Sequence, residues 1–312
     1  MNIIFGSAGF IGQHLTNYID QKTKFYDINF NSNTEYCDVR KPLVIDCGEA
    51  SVIYNLAALC TIPKYEEKEY YETNILGAEN VCNFARENNI NIILFTSSIA
   101  PYGMREEERT EESLPMPTNE YGISKLVAEH IHRIWQAEKP NERSLIILRP
   151  GIVFGKGEKG NFTRLYEAMS RSLFFYPGRK DSKKASIYVK DLVSIMVKMV
   201  DNANPGVTLY NCCYPKPHTI EEICTTMSKI TSLRKPNILI PAGLLKVTAY
   251  FILILGKLIG KSLMGIHPDR VKKIIISTNI IGEKLNKEYP LQFSLKEAIT
   301  DWYNDCANKG LY

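Results

Sequence analysis

The first twelve residues constrain the fold most. A short strand-like run, Asn2-Ile3-Ile4-Phe5, passes directly into Gly6-Ser7-Ala8-Gly9-Phe10-Ile11-Gly12, and a helical pattern continues from Phe10 to Asp20. A G-x-x-G-x-x-G spacing between strand and helix predicts a turn that lays backbone N–H groups and a helix N-terminus against a pyrophosphate. Glycine suits such a turn because a Cβ would obstruct the chain reversal, the approach of the phosphates or the packing of helix on strand. A tight turn of purely structural purpose would use the same residues, so the rest of the chain has to decide.

The first half alternates short apolar runs with helical patterns, the rhythm of a parallel sheet covered on both faces. Strands are expected near Asn2–Phe5, Lys24–Asp27, Glu35–Cys37, Val52–Asn55, Asn91–Thr96 and Ser144–Leu148, with helices over Phe10–Asp20, Tyr70–Asn88 and Glu120–Ala137. Beyond Gly151 the pattern loosens. A strand-like SIYV leads into a helix from Asp191, a strand over Thr208–Asn211 rejoins the sheet, and helices follow near 219–232, 241–258 and 294–307. The fold class is α/β: a doubly wound parallel sheet with a smaller mixed α/β C-terminal lobe. Residues 1–152 with 185–212 are expected to form the sheet domain, and 153–184 with 213–312 the lobe, in keeping with about two domains for 312 residues.

Composition removes several alternatives. A net charge of +4 over 312 residues, without a basic block or stripe, gives no footprint for nucleic acid. The eight cysteines form no C-x-x-C pair and no metal-type pairing with the five histidines, so no metal site is expected. Scattered thiols in a chain of this size predict a reduced, cytoplasmic protein. The opening MNIIFGSAGF lacks the basic and long apolar regions of a secretory signal. The most apolar stretch, PAGLLKVTAYFILILGKLIGK at 241–261, carries Lys246 and Lys257 and is too interrupted to span a bilayer. It reads either as a buried amphipathic helix or as an interfacial helix in contact with a membrane surface.

Chemistry-bearing residues gather at the predicted strand ends. Asp27 closes the second strand, where a carboxylate would accept from ribose hydroxyls and repel a 2′-phosphate, which favours NAD over NADP. Cys37-Asp38-Val39 could set Asp38 near an adenine amino group, or leave it as a solvated turn residue. Asn55-Leu56-Ala57-Ala58 ends the fourth strand with small residues that leave room for ribose and phosphates. Tyr121 and Lys125, four apart at the start of a helix, share one face. A phenol near pKa 10 needs an adjacent ammonium to favour its phenolate at neutral pH. Thr96-Ser97-Ser98, ending a strand 23 residues before Tyr121, offers a hydroxyl to orient the same substrate oxygen.

Taken together, the glycine loop, Asp27, NLAA, the TSS…YG run at 96–103 and YGISK at 121–125 resemble the extended short-chain dehydrogenase/reductases. Within that family they are similar to the NAD-dependent epimerase/dehydratase branch that acts on nucleotide sugars. The resemblance implies a Rossmann fold and a tightly held NAD. It implies cofactor contacts from Gly6, Gly9, Phe10, Ile11, Gly12, Asp27, Asp38, Val39, Leu56, Ala57, Ala58, Thr96, Tyr121, Lys125, Pro150 and Ile152. It also implies a triad in which Ser98 orients, Tyr121 is the acid/base and Lys125 lowers its pKa and grips the ribose. Gly160-Asn161-Phe162 resembles the turn that contacts the substrate diphosphate, with Asn161 and Phe162 as substrate-binding residues. Lys184 and Arg270 stand where diphosphate-binding arginines occur, although Lys cannot reproduce the Arg fork. A homodimer through the helices at Tyr70–Asn88 and Glu120–Ala137 is also implied.

Departures from the family pattern narrow the reaction. The Asp-Glu pair that follows the catalytic hydroxyl in sugar 4,6-dehydratases is here Ile99 and Ala100, which cannot move protons. No Asn stands near Ile152, unlike many UDP-glucose 4-epimerases. The sequence therefore points to a C4 epimerase of a nucleotide sugar, or alternatively to a reductase of a 4-keto-6-deoxy sugar in surface polysaccharide synthesis. A catalytically silent dinucleotide-binding scaffold would typically have lost Tyr121 or Lys125.

Overall fold

The computed structural model describes residues 1–29, 33–60, 65–244 and 275–312. Five strands carry the first half of the chain: β1 (Asn2–Phe5), β2 (Thr23–Asp27), β3 (Glu35–Tyr36), β4 (Val52–Asn55) and β5 (Ile92–Thr96). Next come β6 (Arg105–Arg109), β7 (Ser144–Pro150), β8 (Ile152–Phe154), β9 (Tyr176–Pro177), β10 (Lys183–Lys184) and β11 (Ser186–Tyr188). The last four are β12 (Gly206–Cys212), β13 (His218–Thr219), β14 (Leu239–Ile240) and β15 (Thr278–Ile280).

Seven strands form one sheet in the order β12-β7-β5-β4-β1-β2-β3, and every pairing in it is parallel. Its central strands are apolar runs buried on both faces, as a parallel sheet between helical layers requires. Chain order runs one way from β1 through β2 to β3 and the other way from β4 through β5 and β7 to β12. The switch point therefore lies between β1 and β4, and the glycine turn and Leu56-Ala57-Ala58 leave the sheet on either side of it. This is the Rossmann-type architecture the sequence predicts.

Helices α1 (Phe10–Tyr18), α2 (Glu67–Tyr70), α3 (Gly77–Glu87), α4 (Glu120–Ala137), α5 (Asn161–Ser170), α6 (Val189–Asp201) and α7 (Ile220–Thr231) follow in chain order. Two more, α8 (Glu283–Glu288) and α9 (Leu295–Asp305), close the chain. On one face of the sheet Ile4, Tyr54, Leu94 and Leu148 pack with Leu15 of α1 and with Leu192, Val193 and Met196 of α6. On the other face Ile3, Phe5, Ile53, Phe95 and Ile147 pack with Val81, Phe84 and Ala85 of α3 and Trp135 of α4. The period-two alternation along each strand assigns neighbours to opposite layers.

Three differences from the sequence reading stand out. The helix expected over Tyr70–Asn88 begins earlier, at Glu67, and is interrupted by a π-helical stretch over Tyr71–Leu76. A π turn holds an extra residue and is found most often where a side chain is re-aimed. Here that side chain is Asn74, whose carboxamide bonds both backbone groups of Leu59 and the Ser124 hydroxyl. Second, β6, with the sequence REEER, shows no strand-type apolar alternation. It lies at the edge of a four-stranded sheet ordered β13-β10-β15-β6, where its three glutamates are exposed and its two arginines half-buried. Third, β6 lies inside the span expected for the sheet domain, yet it pairs with β15 from the C-terminal segment. The helix expected at 241–258 falls almost wholly outside the described residues. Among the described residues no helix is long and apolar enough to cross a membrane.

Candidate active site

Two of the three loop glycines are dictated by the protein's own backbone. Gly6 has φ +84°, and a Cβ on it would lie 2.7 Å from Ala57 N and Leu56 C, in the loop beyond β4. A Cβ on Gly12 would lie 2.2 Å from Gly6 O. Gly9 differs: it N-caps α1 with φ −69°, and its nearest obstacle, Gly6 O, is 3.3 Å away. The cradle is therefore tight beneath Gly6 and Gly12 and open over Gly9, at the N-terminus of a nine-residue helix. Phe10 and Ile11 begin that helix and pack partly on the core.

Asp27 sits at the end of β2, where its Oδ2 accepts from Ala8 N at 3.1 Å and its Oδ1 from Asn29 N at 2.9 Å. The carboxylate thus borders the glycine loop, as a ribose-binding group would. Asp38 is placed differently from the solvated alternative: it is buried, and the Arg40 guanidinium forks onto it at 2.8 Å through both Nε and Nη2. Those bonds hold its carboxyl below the ordinary range, against the opposing effect of burial. Val39 is buried in the α3-side core, with its carbonyl accepting from Asn80 Nδ2. Leu56, Ala57 and Ala58 are half-buried beside the glycine turn. Thr96 is buried at the end of β5, and its hydroxyl has no partner among the described residues. Such an orphaned polar atom at a strand end suits a site that binds a polar ligand.

The catalytic candidates come together at the ends of β5 and β7. Asn119 caps α4, its side chain accepting from Gly122 N at 2.8 Å, which fixes Tyr121 in the first turn. The Ser98 hydroxyl accepts from Ala100 N and lies beside the Tyr121 phenol. Burial dominates that phenol and pushes its pKa up, Cys60 acts in the same direction, and the Ser98 hydroxyl acts against them. The Lys125 ammonium lies over the Phe95 ring, 4.4 Å from the centroid. Burial lowers the Lys125 pKa to about 8. Pro150 and Ile152 frame the same corner: Pro150 O accepts from Ile99 N, and Ile152 N donates to Ala185 O.

The candidates for substrate contact are more dispersed. Asn161 is exposed at the start of α5, but the Phe162 ring stacks on Phe154 at 4.5 Å inside the core and is closed to a ligand. The first turn of α5 already receives a carboxylate, since Glu158 Oε2 accepts from Thr163 N. Lys184 is buried, with its pKa lowered to about 8 by burial, and its ammonium donates to Ile276 O at 2.8 Å. Arg270 lies outside the described residues.

Sequence reasoning missed a set of buried polar side chains. Asn74 ties the loop after β4 to Ser124, between Tyr121 and Lys125, and only the π turn that aims it would have shown this. Glu129, two turns beyond Tyr121 on the same face of α4, accepts from Ser97 and from Arg149. The +8 spacing was legible; the burial was not. Ser7 Oγ and Thr34 Oγ1, 3.1 Å apart, join the glycine loop to the segment before β3.

A parallel sheet with a glycine cradle at its switch point, and a serine–tyrosine pair at the adjacent strand end, defines a Rossmann-type dinucleotide-dependent enzyme. Residues 2–213 match the NAD dependent epimerase/dehydratase family, and the chain belongs to it. It is 28% identical over 296 residues to the N-acetyl-alpha-D-glucosaminyl-diphospho-ditrans,octacis-undecaprenol 4-epimerase of Escherichia coli O157:H7, covering 91% of this chain and 88% of that protein. It is 26% identical over 239 residues to the GDP-6-deoxy-D-talose 4-dehydrogenase of Aggregatibacter actinomycetemcomitans, covering 73% of this chain and 79% of the relative. Among solved structures, MoeE5 in complex with UDP-glucuronic acid and NAD superposes with a TM-score of 0.77 at 19% identity, over 98% of this chain and 99% of that one. At that identity the likeness concerns the fold.

Proposed function

We propose that the chain is an NAD-dependent epimerase that inverts C4 of a hexose or N-acetylhexosamine carried on a diphosphate. The observation that carries this reading is the placement of Ser98, just beyond β5, beside the Tyr121 phenol, with the buried Lys125 one turn further along α4. NAD would be held by the cradle of Gly6, Gly9 and Gly12, by Asp27 at its ribose, by the Leu56–Ala58 loop and by Thr96 and Lys125. When bound, it supplies a hydride acceptor for C4 and afterwards the donor that returns hydride to the other face. Tyr121 takes the proton of the C4 hydroxyl as that carbon is oxidised to the ketone, and gives it back on reduction. Ser98 bonds the same oxygen and keeps it in line with the phenol. Lys125, brought close to the ribose and phenol, favours the phenolate that burial alone opposes. Ile99 and Ala100 hold no proton-transfer group, so no path for loss of water runs through those two positions.

The two curated relatives both act at C4 by name, one as an epimerase and one as a dehydrogenase. Their carriers differ, a polyprenyl diphosphate in one and a GDP in the other, so the shared element is a sugar diphosphate. The test is incubation of purified protein, with no added nicotinamide, with UDP-glucose, UDP-N-acetylglucosamine and N-acetylglucosaminyl diphospho-undecaprenol. The C4 configuration is followed by proton NMR. Conversion of one of these supports the epimerase and identifies its carrier. Turnover found only with a 4-keto sugar and stoichiometric NADH or NADPH would replace it with the reductase. We place the enzyme in the cytoplasm as a homodimer through α3 and α4, whose outward apolar residues include Ile123 and Ile134, with Leu76 just before α3. A monomeric mass by light scattering would remove the dimer.

A further inference from the structure

The buried face of α4 does not end with Tyr121 and Lys125. Continuing at helical spacing, it presents Glu129 and then His132, both buried. Lys125, Glu129 and Arg149 are 2%, 1% and 3% exposed. Two cations and a single carboxylate are thus enclosed together. Arg149, on β7, engages that carboxylate as a fork, Nε to Oε1 at 2.9 Å and Nη2 to Oε2 at 2.6 Å. The Ser97 hydroxyl, next to Ser98 in the chain, donates to Oε1 as well. Lys125 makes no hydrogen bond among the described residues, and its ammonium rests on the Phe95 ring. At i,i+4 spacing the Lys125 and Glu129 Cβ atoms lie about 6 Å apart; the side chains make no ion pair among the described residues, but the two charges are close for groups out of water.

We propose that Glu129 is a positioning residue for the Tyr121–Lys125 pair. Its carboxylate is the counter-charge that keeps the enclosed Lys125 an ammonium, while its bonds to Arg149 and Ser97 fix α4 on the ends of β7 and β5. The bonded network then runs outward. The Arg149 guanidinium lies over the Tyr102 ring, the Tyr102 hydroxyl donates to Asn211 Oδ1 at 2.9 Å, and Asn211 Nδ2 donates to Ile281 O beyond β15. One carboxylate thereby joins the register of the catalytic helix to the strand ends that frame the site and to the C-terminal segment.

The other ionisable groups facing Lys125 are few. Burial acts downward on it, while Cys60 from the loop after β4 and Glu129 act upward. Cys60 carries charge only as its thiolate, whereas Glu129 is engaged as an anion by Arg149. His132, one turn deeper, is held neutral by burial, its pKa lowered to about 4, and Tyr70 from α2 faces Tyr121. Removing Glu129 therefore takes away the formal negative charge that acts on Lys125.

The inference rests on the role given to Lys125 above, but its first test does not depend on turnover. Lysine side-chain NMR of the ligand-free protein, with the Lys125 signal assigned through Lys125→Met, reads the titration directly. In Glu129→Gln the midpoint of Lys125 should fall by about one unit or more. In Glu129→Asp it should stay close to that of the unaltered protein. Because Glu129→Gln leaves Arg149 without a partner and could unfold, the decisive comparison sets Glu129→Gln combined with Arg149→Met against Arg149→Met alone, so that only the carboxylate differs. A merely structural carboxylate would leave the Lys125 midpoint of the double variant where Arg149→Met alone puts it, and this result, with native circular dichroism in both variants, overturns the proposal. The series repeated on Cys60→Ser should show the same fall; its disappearance there would assign the effect to the thiol and overturn the proposal equally. In the turning-over enzyme the alkaline limb of kcat should move to lower pH in step with the NMR midpoint. Failure of the epimerase reading would leave the NMR result standing, which keeps the two separable.

Discussion

The three loop glycines do different jobs, and substituting Ala at two of them separates those jobs. On Gly12 a new Cβ meets Gly6 O at 2.2 Å and the Ser7 Cα and carbonyl carbon at 2.8 Å, all backbone atoms that cannot rotate away. Overpacking of this kind costs about 1–3 kcal/mol. With roughly 2–4 °C lost per kcal/mol in a domain of this size, Gly12→Ala should lower the melting temperature of the NAD-free protein by several degrees. On Gly9 the same Cβ finds only Gly6 O at 3.3 Å, and φ is −69°, an ordinary value for Ala. Gly9→Ala should therefore melt within about 2 °C of the unaltered protein. Its methyl would nonetheless stand over the N-terminus of α1, where a pyrophosphate would rest. Loss of one charge-assisted bond there is worth about 1.5–3 kcal/mol, so NAD affinity should fall by about tenfold to a hundredfold. Melting curves on NAD-free protein and isothermal titration with NAD measure both quantities. If Gly9→Ala bound NAD as the unaltered protein does, the pyrophosphate would not lie on this loop and the cofactor assignment would fail. An unchanged melting temperature for Gly12→Ala would refute the packing argument.

Other outcomes follow from single groups. Tyr121→Phe should lower kcat by about 10²- to 10⁴-fold while leaving NAD affinity within a few-fold, because the variant loses the proton donor and keeps the ring; full activity would exclude Tyr121 as the acid/base. Asp27→Asn should weaken NAD and narrow its advantage over NADP, measured by titration of both, since the charge that repels a 2′-phosphate is gone. Asp191 is buried with its pKa raised to about 6, chiefly by burial, and its Oδ1 accepts from Gln292 N at 2.8 Å. A carboxyl raised in the folded state contributes stability below about pH 4 that is lost as pH rises to about 6, here about 3 kcal/mol. Asp191→Asn should flatten that dependence in denaturant titrations at pH 4.5 and 7.5, and an unchanged slope would place the pKa elsewhere.

The parts of this fold that were legible in the sequence are those in which local chemistry and global position coincide. The β1 run is apolar because both its faces are covered, and Gly6 is glycine because the chain turns there at φ +84°. Asn119 both ends a loop and caps α4, so the helix start at Glu120 could be read from the residues. β6 could not: its five residues are charged because it is an edge strand, and its partner, Thr278–Ile280, is far away in sequence. The π turn at Tyr71–Leu76 was hidden for a related reason. An inserted helical residue leaves the apolar spacing almost intact, and the need for it arises from Leu59 and Ser124 across a space that the sequence does not display.

The same distinction divides the candidate site. Tyr121 and Lys125 stand out in the sequence as candidates because their chemistry is local, a phenol and an amine on one helical face. Lys184 looked like a diphosphate ligand by position, yet the second sheet closes around it and turns its ammonium to the Ile276 carbonyl. Phe162 was likewise taken into the core by Phe154. Glu129 runs the opposite way: a charged residue mid-helix reads as solvated surface, and only the closing of β5 and β7 over α4 makes it one of the most deeply buried charges in the site. A buried charge is retained at a cost in desolvation that an apolar residue would not incur. On the function proposed above, the cost falls at the one place where a lysine keeps its proton within reach of a phenol that loses its own. A carboxylate enclosed between them and Arg149 is the simplest arrangement that meets both demands, which is why the catalytic helix carries its ionisable residues inward as well as at its tip.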